Sequence, residues 1–296
     1  MTAVDRLAAW PTRILWVLLA VLAAVPVGDA LDGRSAAVRW LVVIGLWAGW
    51  TVGAVCLLVP RHLFLTGVRI LVPAGTAAIV AAIAAGSELD PVDVAALVTS
   101  ALASAWVLSP WVGEAWVDGS SYGPERRLPL RPPVTFTLLV VPLTWSLVVI
   151  GASAGPLLLA AGRWAPGVLA TAVGVPVTVL GTRSLHQLSR RWIVMVPTGV
   201  VLHDPLAMPE PQLFLRSTIA RLGPADLEDL DDADAQDLTV GAPGLALRLD
   251  LTEPVELLVR TGGRRTATVS STAVLFTPSR PGRVIDAAVE RRVPVG

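Results

Sequence analysis

Residues 38–59 read VRWLVVIGLWAGWTVGAVCLLV, and Arg39 is the only charged residue in the run. As a helix these twenty-two residues rise about 33 Å, enough to cross a hydrocarbon core about 30 Å thick. Gly45, Gly49 and Gly53 recur every fourth residue on one helical face. Glycine there lets a neighbouring backbone approach closely, where lipid removes the hydrophobic drive between helices. The ladder is read as helix packing against another span of the same chain, with self-association into a homo-oligomer as the second use of that face. Trp47 and Trp50 flank it as bulky residues beside a tight contact.

Five further runs surround this one, at 12–28, 65–86, 93–112, 134–154 and 165–182. The first and last are short, so the count is six spans with five as the alternative. The whole chain is 54% hydrophobic and 16% charged, where soluble proteins carry about 25% charged residues. Residues 183–296 hold 13 of the 23 Arg and 14 of the 23 Asp and Glu. The reading is an all-α transmembrane bundle over 1–182, a helical connector over 183–191 and a mostly-β soluble domain over 192–296. Lys and Asn are absent, a bias that resembles proteins of GC-rich actinobacterial genomes. Cys56 is the single cysteine, so no disulfide framework or Cys-based metal site is available. Zero net charge argues against nucleic acid as a partner.

Arg6 and Arg13 precede the first run as a signal peptide's basic start would, but the run ends in Pro26-Val27-Gly28-Asp29-Ala30, a poor cleavage site. It is read as a retained helix. Arg6, Arg13, Arg61, Arg126, Arg127, Arg131, Arg183, Arg190 and Arg191 fall in alternate breaks, whereas the other breaks carry Asp29, Asp32, Glu88, Asp90 and Asp93 with few Arg. The positive-inside rule then predicts both termini in the cytoplasm of a bacterial plasma membrane. Arg39 and Arg69 are expected to snorkel from helix ends. Pro73, Pro142 and Pro176 are expected to interrupt spans three, five and six, and Trp10, Trp40, Trp111, Trp116 and Trp164 to sit in the interface. No Asp, Glu, His or Arg lies near mid-span, which weighs against coupled transport.

The loop 113–133 is read as a solvated connector. Glu114, Asp118 and Tyr122 within it form a weaker candidate polar site. Its Arg126, Arg127 and Arg131, with Arg190 and Arg191 after the last span, are the candidate contacts to lipid phosphate.

Beyond the connector, 192–196, 200–204, 212–216, 218–222, 245–251, 255–260, 265–269 and 273–277 are β-prone, with turns at Pro197-Thr198-Gly199 and Gly262-Gly263. Leu245, Leu247, Leu249 and Leu251 alternate with polar residues. Pro281–Arg292 is a helix with Val284, Ile285, Ala288 and Val289 as its apolar stripe. The run 225–237 carries seven acidic and no basic residues and is read as a solvated loop. Outside it the domain holds thirteen Arg against seven acids, a balance that would dock on an anionic leaflet and for which the acidic run would compete.

Three stretches, RWIVMVPTGVVLHD at 191–204, RSTIARL at 216–222 and FTPSRPGRV at 276–284, resemble bacterial pleckstrin-homology-like (PH-like) domains. The resemblance covers about the last hundred residues. It implies a barrel closed by a C-terminal helix and a binding surface for a protein segment or lipid headgroup, without enzymatic activity.

No catalytic set is evident. His203-Asp204 lacks further metal ligands at suitable spacing, Ser184, Ser189 and Ser217 lack His and acid partners, and no phosphate loop follows a strand. No cofactor is implied. The expectation is a membrane-anchored, non-enzymatic interaction or regulatory protein whose partners are the bilayer and another membrane or cytoplasmic protein, with a cell-envelope assembly as the suggested setting. The alternative is a transporter or channel subunit with a regulatory tail. The topology is open to test: a C-terminal fluorescent-protein fusion is expected to fluoresce and a C-terminal alkaline-phosphatase fusion to be inactive, and the opposite pattern would reverse the orientation.

Overall fold

The computed structural model describes residues 3–86, 89–226, 232, 234–263 and 265–296. Glu88 and, within the acidic run, residues 227–231 and 233 lie outside the described residues. The chain divides into two compact units. One comprises Met1–Trp116 and Pro142–His186; the other comprises Val117–Val141 and Gln187–Gly296.

The first unit is helical. It contains α1 (Ala3–Leu22), α2 (Ala24–Leu31), α3 (Ala36–Leu58), α4 (His62–Ala85), α5 (Pro91–Val107), α6 (Pro110–Asp118), α7 (Val141–Ala160) and α8 (Trp164–Leu188), the last residues of α6 and α8 and the first of α7 belonging to the second unit. Five stretches are long and apolar enough to cross a membrane: Ala8–Leu31, Ala36–Leu58, His62–Ala85, Phe136–Ala160 and Trp164–Leu188. The pair α5 and α6, bent by 56°, makes a sixth only if counted as one span. The bend falls where proline permits no continuous ladder, since Pro110 opens α6 and disfavours helical backbone in the residue before it. α5 itself starts at a capping box in which Asp90 and Asp93 exchange backbone bonds around Pro91.

The expected proline interruptions differ from this. Pro73 and Pro176 lie inside α4 and α8, which continue through them. Pro142 instead follows a π-helical turn, Phe136–Val140, where the Val141 N–H bonds the Phe136 carbonyl five residues back. A proline lacks the N–H and crowds the preceding turn, so the chain widens by one residue there.

Indole N–H groups tie the helices together. Trp16 Nε1 donates to the Trp50 carbonyl at 3.0 Å, and Trp50 Nε1 donates to the Trp16 carbonyl at 2.9 Å, which links α1 and α3 reciprocally. Trp106 Nε1 reaches the Ala8 carbonyl at 2.8 Å, Trp116 Nε1 the Cys56 carbonyl at 3.1 Å and Trp145 Nε1 the Ile70 carbonyl at 3.1 Å. Trp116 is fully buried and is therefore not an interfacial residue, while Trp10, Trp40, Trp111 and Trp164 are exposed as a belt requires. Arg13 Nε donates to the Leu57 carbonyl at 3.0 Å, which satisfies a terminal carbonyl of α3.

The tightest helix contact is between α7 and α8. A Cβ at Gly151 would lie 2.9 Å from the Gly174 carbonyl oxygen, one at Gly155 would lie 2.7 Å from the Thr171 nitrogen, and one at Gly174 would overlap Gly151. Backbones this close exclude any side chain. The α3 ladder behaves differently. A Cβ at Gly53 would meet the Trp16 ring at 2.6 Å, but Gly45 and Gly49 face open space, so packing within this chain does not account for them.

The second unit is sheet-rich. β1 (Arg126–Pro129), β2 (Trp192–Val196), β3 (Gly199–His203) and β4 (Gln212–Leu215) form one antiparallel sheet in that order. β5 (Ile219–Pro224), β7 (Leu247–Gly262), β8 (Arg265–Phe276) and β6 (Ala235–Asp237) form the other, in the order β5-β7-β8-β6 with β6 parallel to β8. Two separate sheets therefore stand where a closed barrel was expected. A single bridge from Leu130 to Pro278 links the inter-span segment to the end of β8. The domain expected at 192–296 thus also contains the loop segment expected to be a solvated connector. Leu128 and Leu130 of that segment are buried in one continuous core with Ile193, Met195, Leu249, Leu257 and Phe276.

The Thr252-Glu253-Pro254 break does not end a strand. It is a register shift within β7 between Asp250 and Val255, as expected where Pro254 cannot donate to the ladder. Leu247, Leu249 and Leu251 are buried as the alternation predicts, but Leu245 is exposed ahead of the strand. α9 (Pro281–Glu290) closes the unit with Val284, Ala287 and Ala288 inward; Val289, expected in that stripe, is exposed.

Gly174→Leu is expected to destabilise the protein by about 1–3 kcal/mol, because no volume exists at the α7–α8 contact, whereas Gly45→Leu leaves stability unchanged. Thermal unfolding of both variants in detergent measures the difference.

Candidate functional site

Each candidate arginine has a definite place in the second unit, and together they do not form a phosphate cradle. Arg191 precedes β2 and is buried. Its Nε donates to Asp204 Oδ1 at 2.7 Å, its Nη2 to Asp204 Oδ2 at 2.6 Å and its Nη1 to the Arg131 carbonyl at 2.6 Å. The Asp204 carboxylate also accepts from the Leu206 N–H at 3.0 Å. A bidentate pair so enclosed is committed to the fold and offers nothing to a lipid, which removes Arg191 from the candidate phosphate contacts. It also removes Asp204 from any metal site with His203. Among the described residues no group of three or more metal-ligating side chains is present.

Arg131 donates from Nη2 to the Ser279 carbonyl at 3.3 Å and from Nη1 to the Pro243 carbonyl at 3.4 Å, so it braces backbone. Arg126 is buried on β1, 3.9 Å from Glu290. Arg127 binds Glu125 at 3.2 Å and lies 5.8 Å from the centre of the Trp192 ring. That ring stands 4.9 Å from His203. Burial first, then the charges of Arg190 and Arg127, lower the His203 pKa against the opposing pull of Asp204. Of the five arginines, only Arg127 and Arg190 border this aromatic cluster with part of their surface exposed.

The second charged feature was not visible as a motif. Arg221 binds Asp250 at 3.3 Å, Arg248 binds Asp250 at 2.6 Å and Arg248 binds Asp232 at 2.8 Å, which forms a ladder across β5 and β7. Its last member comes from the acidic run. The Asp234 backbone and Arg248 hold the Asp232 carboxyl below its ordinary pKa. β4 is the terminal strand of its sheet, with Leu213 and Leu215 exposed at 43% and 47% beside the buried Phe214.

In the helical unit the candidate polar loop residues separate. Glu114 is buried, whereas Asp118, in the second unit, accepts from Ser121 Oγ at 3.0 Å and from the Arg127 N–H at 3.1 Å, and Tyr122 is solvent-exposed. Two histidines distant in sequence come together: the His62 and His186 rings stack at 6.4 Å, and Thr66 Oγ1 lies 3.0 Å from His186 Nδ1. Arg69 does not snorkel outward. Its Nη2 is 2.8 Å from the position a Cβ on Gly113 would take, so the guanidinium occupies the space that glycine leaves on α6.

No protein-family model matches the chain, and no curated protein or solved structure matches it. The PH-like resemblance therefore rests on the quoted stretches of sequence.

Arg191→Met is expected to cost about 3–5 kcal/mol, because it leaves a buried carboxylate without its partner. Denaturant unfolding of the intact chain measures it. The double variant R191M/D204L should recover most of the loss, and failure to do so would mean that the pair is not the determinant.

Proposed function

We propose that this chain is a membrane-anchored, non-enzymatic interaction or regulatory protein. Its spans hold a PH-like domain at the cytoplasmic face of a bacterial plasma membrane, where the domain engages a protein partner, in keeping with a role in a cell-envelope assembly. The observation that carries the reading is the construction of the sheet-rich unit from both an inter-span segment and the C-terminal region. A domain whose core needs Leu128 and Leu130 belongs to the membrane protein and is not a passenger on its tail. Further support comes from two sheets with a closing helix, an exposed terminal strand β4, and polar groups used for structure. The Asp232–Arg248 contact agrees with competition between the acidic run and the basic surface.

A second reading, a transporter or channel subunit with a regulatory tail, draws on the 56° break between α5 and α6 and on the inward Arg69. One comparison separates the two. Cross-linked pull-down of the intact chain from native membranes is expected to recover a partner that is lost when 187–296 are removed and when Leu213→Lys and Leu215→Lys are introduced together. Recovery of the same proteins by all three rejects the interaction reading, and solute flux in proteoliposomes that persists without 187–296 would establish the transport reading.

A further inference from the structure

Arg69 is the eighth residue of α4, about 10 Å along the helix from His62. Its side chain is turned toward α6, its Nε is enclosed, and among the described residues it makes no hydrogen bond and no ion pair. A guanidinium does not give up its proton to escape such a place and carries five donors. In a lipid-embedded helix an unpaired charge is costly, so the position calls for an acceptor. Two residues at the start of α6 bear on where it would sit. Gly113 is the residue opposite, and any side chain there would strike Nη2. Ser109 lies one turn earlier, joined to Gly113 by the bond from the Gly113 N–H to the Ser109 carbonyl at 3.2 Å, and its buried Oγ has no partner among the described residues.

We propose that Arg69, together with the Ser109 hydroxyl, binds a phosphate-class anion, supplied by the phosphodiester of a membrane phospholipid. A fork of donors with a nearby hydroxyl suits a tetrahedral oxyanion, which accepts several short charge-assisted bonds at once. Depth favours the lipid as the source. The twenty-four residues of α4 span about 36 Å against a core of about 30 Å, which leaves Arg69 within a side-chain length of the headgroup layer. The site is distinct from the arginines of the sheet-rich unit and goes beyond the interaction role proposed above. It would place a lipid headgroup against the broken α5–α6 pair.

Native mass spectrometry of the full chain in detergent, titrated separately with dioleoyl phosphatidylglycerol and with inorganic phosphate, tests this. The intact protein is expected to retain phosphatidylglycerol, and Arg69→Gln to bind it at least about tenfold more weakly. Gly113→Leu, which would push the guanidinium out of the place it occupies, should show a comparable loss, and Arg69→Lys, with the charge but not the fork, should fall between. Gly45→Leu, on a face away from the site, should bind as the intact protein does. Arg69-dependent binding of inorganic phosphate without binding of the lipid keeps the anion site and assigns it to a soluble ligand. Absence of binding by the intact chain, or equal binding by the intact chain, R69Q and G113L, overturns the proposal.

Discussion

A hydrocarbon layer contains no water to accept a proton donor, so every N–H placed there must find its acceptor within the protein. In this chain the constraint falls on tryptophan. The indoles of Trp16, Trp50, Trp106, Trp116 and Trp145 all donate to backbone carbonyls of other helices. Trp116 serves the Cys56 carbonyl near the end of α3, for which Pro60, four residues on, has no N–H. The bonds set which helices are neighbours and how deep each sits. Glycine completes the arrangement at α7 and α8, where Gly151, Gly155 and Gly174 bring two backbones into contact.

The sheet-rich unit obeys a different constraint, because its strands come from segments some sixty residues apart in the chain. Arg191 joins them. Its backbone carbonyl accepts from Leu130, its Nη1 donates to Arg131, and its remaining donors are held by Asp204. Apolar replacements could match the stability of such a pair, but a buried guanidinium accepts few alternative registers. Its effect is to hold the inter-span segment in one alignment against β2, so that Leu128 and Leu130 enter the core.

The two units put arginine to opposite uses. In the sheet-rich unit Arg131, Arg191 and Arg248 are consumed by carbonyls and carboxylates of the chain itself, while the terminal strand β4 exposes Leu213 and Leu215. In the helical unit Arg13 caps α3, while Arg69 is held where the described residues supply no acceptor for its Nε. An unpaired donor set in a low-dielectric setting marks a place for a ligand more strongly than an exposed cluster of the same charge, since water competes for the latter.

The sequence by itself determined the division into apolar runs and a strand-rich remainder, since run length and alternation reflect the solvent that each residue meets. It also placed β2, β3, β5 and α9, whose local signals of β-branched residues, a turn glycine and Pro281 at a helix start agree with their tertiary surroundings. It misplaced Arg126 and Arg127 as loop charges, because strand β1 is short and its partner strand is distant: Arg126 pairs with Met195, sixty-nine residues on. Nothing local distinguishes such a segment from a connector. Gly151 and Gly155 on α7 repeat the four-residue spacing of the α3 ladder, yet the three-membered α3 ladder was the more conspicuous. Only the tertiary structure decided which of the two is filled. It alone decided which way Arg69 turns, because a helical side chain's neighbour depends on the rotation of the helix, and that rotation is set by packing against other helices and not by the residue's own position in the run.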